Sequence, residues 1–460
     1  MKIDRMTSPG LAHHSWLIQD GRDAVVIDPR RDVQAYLEGA RQNSTRLTAV
    51  LETHRNEDFA IGSSALEAFT GVEARHGPGL EFGYGRRIEE GEEIACGRLR
   101  IRALHTPGHT PESMTYALYD TESGGGAVMA FTGDALFVGD TGRTDLWPDG
   151  DGRRAAELLH ESLFEKILPL GDGCLLHPAH VGGSVCGGRI LERNESSLGY
   201  ERRNNPSLTR TERGAFVDQK LAERHVRPPY FRRMEEWNRD GNAPIHAIVP
   251  ALEPLSPGAF AEHMQEGLTV VDARWPQAFA GGHVPSSLNV WEEGLAGYLP
   301  WAVRPGEPFL LVPAEGSDPE TLARTLFRIG YDECRGILAG GFESWQNEGR
   351  RVSRLGTLDV TELRNLDRGD GLILLDVRQP GEWEEGSPRG AKRIFVGELE
   401  QRLDEIPRDA IVAAMCSVGH RAGLAASLLA KHGYERAVNL LGGYQALVAT
   451  EAGAAGGGAS

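Results

Sequence analysis

Two groups of residues in this 460-residue chain are of types that do chemistry. The first begins in LETHRNEDFAIG, Leu51 to Gly62, where His54, Asn56, Asp58 and Phe59 stand in quick succession. That is nearly His-x-His-x-Asp-His, a spacing that can fill two adjacent metal sites, with the second and last histidines missing. More candidate donors follow: His105 and His109 in HTPGHTPES, Asp134 in FTGDALF, and His177 and His180 in LLHPAHVGG. The second group is Cys416-Ser417-Val418-Gly419-His420-Arg421. This short loop lies between the apolar run AIVAAM and a helix-length segment with Leu424, Leu428 and Leu429 on one face. The backbone N–H groups of such a loop converge on its centre, and the helix N-terminus adds positive potential. A thiolate is stabilised there, and Arg421 adds a full positive charge. The arrangement suits a thiol that must ionise and carry a second sulfur.

The elements that must position these residues read, up to about residue 240, as alternating strands and helices. DAVVIDPRRDV is an apolar strand ending at Asp28-Pro29, where proline cannot continue a ladder. LTAVLETH ends at His54, and LRIRALHTPGHTPES and GAVMAFTGDALF are strands that run into loops. The candidate donors therefore fall just past strand ends, where rigid scaffolds present functional side chains. Polar stretches at 201–217 and 238–258 and a break at 347–357 punctuate the chain. Between the breaks lies a repeat: LTVVDARWPQAF resembles LILLDVRQPGEW, which places Asp272 and Asp376 104 positions apart. Tandem units of that size predict a duplicated α/β domain with a parallel sheet. The expected boundaries are 1–240, 250–352 and 356–450, with the Gly/Ala tail 451–460 disordered.

The formal charge of −17 argues against nucleic acid and anionic membrane partners. No apolar run approaches the ~20 residues that span a bilayer. The N-terminal stretch has no apolar segment of a signal peptide. Five cysteines without a C-x-x-C pair fit a reducing compartment rather than a disulfide framework, so a cytoplasmic location is expected.

The order of donor motifs resembles the metallo-β-lactamase superfamily over roughly residues 1–235, which implies a four-layered αββα sandwich with metal at the strand ends. Carried over residue by residue, one metal position keeps His54, His109 and Asp134 and has Asn56 where a histidine belongs. The other keeps Asp58 and His180 but has Phe59, which cannot ligate. An amide is a weak ligand beside imidazole, so the double-metal clamp of the hydrolases is lost. Two histidines and one carboxylate remain, the composition of a facial triad with open positions. On Fe(II), such positions take both O₂ and a substrate sulfur.

The same subtraction resembles the persulfide dioxygenases of that superfamily. VGDTGRTDLW is similar to their G-R-T-D motif, which implies that Arg143 and Asp145 bind substrate, Arg143 through a bidentate pair with a carboxylate. HPAHVGGSVCGG and ERRNNP match the same group. Asn56, Asp58 and His180 are expected behind the ligands, as hydrogen-bonding and orienting groups. His105 and His177 are expected to be structural, and Cys186 a small buried hydrophobe.

Residues 356–450 resemble the rhodanese family, whose Cys-x-x-x-x-Arg loop closes around a persulfide; Asp376 and Arg378 match its strand end. The resemblance implies Cys416 as sulfur carrier, Arg421 as its catalytic partner, and Ser417, Val418, Gly419 and His420 as the substrate-binding loop. In the middle copy the corresponding positions are Pro313 and Asp318, so no sulfur can be carried there. That copy is expected to be a spacer or docking surface, with Cys334 structural.

The whole layout resembles persulfide dioxygenase–rhodanese fusions. It implies one Fe(II) per chain (zinc as a possible substitute), with a low-molecular-weight persulfide and O₂ as substrates and sulfite and thiosulfate as products. The role implied is sulfide detoxification, and a homo-oligomer, dimer or tetramer, is expected. Two other readings stay open. One is a glyoxalase II-like zinc thioester hydrolase. The other is a degenerate first domain scaffolding a Cys416 sulfurtransferase.

Overall fold

The computed structural model describes residues 1–184, 189–366 and 371–456, and only the backbone of 451–456. Cys186 lies outside the described residues. The chain divides into two compact units, Met1–Pro250 with Phe327–Gly330, and Ala251–Leu326 with the residues from Tyr331 onward.

The first unit contains two six-stranded sheets. One runs in sequence order from Lys2–Ser8 through His13–Asp20, Asp23–Ile27, Arg46–Leu51 and Ala74–His76 to Arg86–Arg87. The other runs in reverse order, from Ser196–Ser197 through Leu175–Pro178, Met129–Gly133, Met114–Asp120 and Leu99–His105 to Glu93–Cys96. Successive strand residues point to opposite faces. Trp16, Ile18, Val25, Ile27 and Leu51 accordingly enter the core between the sheets with Ile101, Tyr116 and Phe131. Their neighbours Leu17, Ala24, Val26 and Val50 pack beneath the helices Gln34–Gln42 and Ser63–Thr70. Burial on both faces is why AVVI reads as an unbroken apolar run. The opposite helical layer includes Gly152–Glu161, with Leu159 packed on Ala130 and Leu176. This is the αββα sandwich of the metallo-β-lactamase fold.

The second unit holds two five-stranded, all-parallel sheets of the rhodanese-like type. The first runs in the order Pro254–Leu255, Cys334–Leu338, Phe309–Val312, Thr269–Asp272, Leu288–Asn289. The second follows the same pattern with Gly356–Leu358, Ala437–Leu440, Ile411–Met415, Leu372–Asp376, Lys392–Arg393. The ladder register aligns the two copies independently of sequence: Asp272 pairs with Val312 and Asp376 with Met415, so Pro313 stands where Cys416 stands. Each copy also buries a fork from arginine to aspartate. Arg274 donates to Asp272 and the Gly282 carbonyl and covers the Phe342 ring. Arg378 donates to Asp376 and the Gly386 carbonyl and covers Tyr444. Asp376 and Arg378 thus brace the sheet edge of their domain.

The two rhodanese-like copies fall within one compact unit. The last helix, Gly443–Gly456, extends into the Gly/Ala-rich stretch, where its alanines favour helix. Residues 457–460 lie outside the described residues. No helix among the described residues is long and apolar enough to cross a membrane.

Candidate metal centre and sulfur-carrying loop

His54, His109 and Asp134 come together from three separate loops, and their ligand atoms all lie within 4.8 Å of one another. All three are buried. His54 lies beyond strand Arg46–Leu51, and Asp134 directly follows strand Met129–Gly133. Gly133 is needed at that strand end. Its φ of +53° is left-handed, and a Cβ there would stand 2.5 Å from the Thr53 hydroxyl.

Neighbouring groups fix which imidazole nitrogen faces the centre. The Asp28 carboxylate accepts from the Thr53 N–H and from its hydroxyl, both at 2.7 Å. With its proton given to Asp28, the Thr53 oxygen accepts from His54 Nδ1 at 2.9 Å. The Arg143 carbonyl, which can only accept, takes the Nδ1 proton of His109 at 3.1 Å. In both neutral rings Nε2 is therefore a bare lone pair, and each stands 3.7 Å from Asp134 Oδ2. His54 Nε2 and Asp134 Oδ2 are buried without a hydrogen-bond partner. Buried acceptors that face one another need a cation between them, and donors about 2.1 Å from a common ion stand about 3.0–4.2 Å apart. The triad fits a metal ion.

Behind it, His180 Nδ1 donates to Asp134 Oδ1 at 2.8 Å, and its Nε2 lies 2.9 Å from Asp58 Oδ2. Burial opposes protonation of His180, but the charges of Asp134 and Asp58 outweigh it and raise its pKa well above the ordinary range. Asp58 and His180 thus hold each other and orient Asp134. Phe59 is wholly buried, and its ring lies 3.9 Å from that of His13. Among the described residues no second cluster has the geometry of a metal site. Asn56 takes a left-handed turn, φ +51°, which asparagine tolerates well, and its amide N–H donates to the His54 carbonyl at 2.9 Å.

Arg143, expected to anchor substrate, is wholly buried and forks onto both oxygens of Asp145 at 2.7 Å, with the Val226 carbonyl at 3.1 Å. The pair braces the loop whose carbonyl orients His109. His105 Nε2 donates to the Pro111 carbonyl at 2.9 Å. His177 packs against Trp16 and Phe131, and burial lowers its pKa to about 4. Both lie outside the cluster.

Asp28 was visible in the sequence only as a strand terminator; its link to His54 through Thr53 emerges in the fold. Burial pushes its carboxyl up to about 7 against the pull of the Thr53 bonds. Asp28→Asn is expected to lower metal affinity about 10–100-fold, measured by competition with a chelator; an unchanged affinity would deny Asp28 this role.

In the second unit Cys416 is buried, and its sulfur accepts the Gly419 N–H at 3.0 Å. Gly419, φ +105°, starts helix His420–Lys431, a backbone shape that a side chain resists. Arg421 forks onto the Glu382 carboxylate and donates to the Ser417 hydroxyl at 2.7 Å, and that hydroxyl donates to Glu382 at 2.8 Å. Burial opposes ionisation of Glu382, but Arg421 prevails and holds its carboxyl at about 2. The loop is therefore cross-braced by a carboxylate on a different segment, which the Cys-x-x-x-x-Arg pattern does not mention. Val418 is exposed at the loop tip.

The middle copy does more than space the chain. Its Trp275 and Trp291 rings flank His420 at 4.7 and 5.0 Å, and Tyr298 stands near enough to Arg421 for the guanidinium charge to act on its hydroxyl, although burial still raises that group's pKa. Its own loop uses Asp318 to accept the N–H groups of Glu320 and Thr321, which caps the helix Pro319–Arg328. Side chains of the middle copy thus pack against the Cys416–Arg421 loop of the last copy, within the same compact unit. Tyr298→Phe is expected to raise the KM of sulfur transfer from thiosulfate roughly 3–10-fold, equivalent to about 1 kcal/mol. A thiocyanate-forming assay with cyanide as acceptor measures it, and an unchanged KM would exclude a contribution from the middle copy. Of the remaining described cysteines, Cys96 and Cys174 are buried and Cys334 is half-buried, and desolvation pushes Cys96 and Cys174 up to about 11 and Cys334 to about 12, which disfavours the thiolate in each.

Comparison with known proteins agrees with this division. A metallo-beta-lactamase superfamily model matches residues 8–182, and a rhodanese-like domain model matches 256–348 and 359–450. The mitochondrial persulfide dioxygenases ETHE1 of Bos taurus and Homo sapiens are each 32% identical to this chain, over 222 and 224 residues. Each alignment covers 45% of this chain and 76% of the relative. The crystal structure of a metallo-beta-lactamase from Staphylococcus aureus subsp. aureus COL superposes with a TM-score of 0.64 at 25% identity, covering 74% of this chain and 99% of that one.

Proposed function

The chain belongs to the persulfide dioxygenase family, here with two rhodanese-like domains in tandem, and on that premise we propose that it oxidises a low-molecular-weight persulfide at a single iron and moves sulfane sulfur on Cys416. The overall first reaction is RSSH + O₂ + H₂O giving RSH, sulfite and two protons. His54, His109 and Asp134 hold the ion, and their mutual distances support this function most directly. Fe(II) bound there supplies open positions that admit a sulfur and O₂. Thr53 and the Arg143 carbonyl keep both Nε2 lone pairs aimed at the ion, and His180 keeps the Asp134 carboxylate turned toward it. With Phe59 in place of a ligand, no second metal is held to activate water for thioester hydrolysis.

In the second unit the Cys416 thiolate attacks the outer sulfur of a donor, R–S–S⁻ or thiosulfate, and releases RS⁻ or sulfite. The Gly419 N–H and Arg421 hold negative charge at the resulting persulfide. Sulfite can then take that sulfur, regenerating the thiolate and forming thiosulfate. Both centres in one chain raise the effective concentration of each product for the next step. O₂ uptake by the iron-loaded protein with glutathione persulfide tests the first half. Absence of uptake, together with stoichiometric zinc and thioester turnover, would overturn it.

A further inference from the structure

Glu57 occupies an unassigned spacer position of the His-x-His-x-Asp-His pattern, yet it is wholly buried beside the triad. Its Oε1 is 3.2 Å from His109 Nε2, and its Oε2 is 4.0 Å from His54 Nε2. The two approaches are made by different oxygens of the one carboxylate, which straddles the two Nε2 atoms, and each falls within the about 3.0–4.2 Å expected of donors sharing one ion. The left-handed turn at Asn56 immediately precedes Glu57 and redirects the chain, so a side chain that the spacing would send away arrives at the centre.

The Glu57 carboxylate therefore stands beside the two imidazole lone pairs that, with Asp134 Oδ2, form the cluster. A proton on His109 Nε2 would satisfy Glu57 alone. It would leave His54 Nε2 and Asp134 Oδ2, both buried without a hydrogen-bond partner, facing each other. One divalent cation satisfies all of these acceptors and balances the two carboxylate charges.

We propose that Glu57 is a fourth protein donor to the metal, converting a two-histidine, one-carboxylate centre into a two-histidine, two-carboxylate centre. This rests on the metal-binding reading of His54, His109 and Asp134. A six-coordinate ion then keeps two exchangeable positions instead of three, and its net charge falls from +1 to zero. The substrate sulfur is accordingly expected to bind through one atom, without a chelating second contact.

The test uses the full-length chain, stripped of metal, in wild-type, Glu57→Gln, Glu57→Ala and Asp134→Asn forms. Fe(II) is titrated anaerobically against a chelator, and Mn(II) loading with water-proton relaxation counts exchangeable waters. Glu57→Gln keeps size and polarity, so loss of folding is not an issue for it. Both Glu57 variants are expected to bind Fe(II) about 10–100-fold more weakly or worse, and Glu57→Ala to gain one exchangeable water on Mn(II). If Asp134→Asn loses the metal while both Glu57 variants keep wild-type affinity and water count, the fourth donor is disproved and the triad stands. If the wild-type chain binds neither ion, the metal reading fails and this proposal with it.

Discussion

Asp134→Asn is expected to strip the metal from this protein. Affinity should fall by more than about 100-fold, beyond the 10–100-fold that loss of an outer partner brings. Both carboxylate oxygens are in use: Oδ2 faces the two Nε2 atoms, and Oδ1 accepts from His180. An asparagine can present only one acceptor. With its oxygen toward the ion, its NH₂ meets the His180 N–H donor head on. With its oxygen toward His180, the ion meets two more hydrogens. The change also removes a negative charge that keeps His180 protonated. Elemental analysis should give close to one ion per wild-type chain and almost none for the variant. O₂ uptake with a persulfide should disappear, while thiosulfate-dependent sulfur transfer stays within about twofold, since Cys416 lies in the other unit. Retention of metal by the variant would sink the ligand role of Asp134.

Cys416→Ser is expected to have the opposite selectivity. The hydroxyl fits the space and can still accept the Gly419 N–H that Cys416 accepts at 3.0 Å, so the loop should keep its shape. A hydroxyl cannot hold sulfane sulfur, and sulfur transfer should fall by about 10³-fold or more. Mass spectrometry after thiosulfate treatment should find one added sulfur atom on wild-type protein and none on the variant. Metal content and O₂ uptake should be unchanged. Residual transfer near the wild-type rate would move the carrier role to another cysteine, a role for which the raised thiol pKa values of Cys96, Cys174 and Cys334 are unsuited.

Much of this was legible in the linear chain because the informative residues sit in short motifs at strand ends. HTPGH, TGD and the Cys416–Arg421 loop each keep residue type and spacing together, so local pattern is enough. The duplication was legible for the same reason: a buried Asp-x-Arg pair and its strand recur with one offset, and the ladder register reproduces it. For Arg143 the motif reports which residue is present and not which partner it meets; in the fold, Asp145, two positions on, accepts from its Nε and Nη2. The middle copy was legible as a spacer or docking surface from its missing thiol, but not which residues dock, because aromatic and hydroxyl side chains look the same whether they face solvent, core or a neighbouring loop.

The amino-acid sequence alone determined the order of domains, the loss of the second metal position through Phe59, and the absence of a thiol from the middle copy, since each follows from what a side chain can or cannot ligate or carry. Only the tertiary structure decided that Glu57 turns toward the centre, that Asp28 fixes the tautomer of His54, and that Trp275 and Trp291 stand against the Cys416–Arg421 loop. Those outcomes depend on one left-handed backbone turn and on contacts between residues far apart in the chain, and neither is encoded in local spacing.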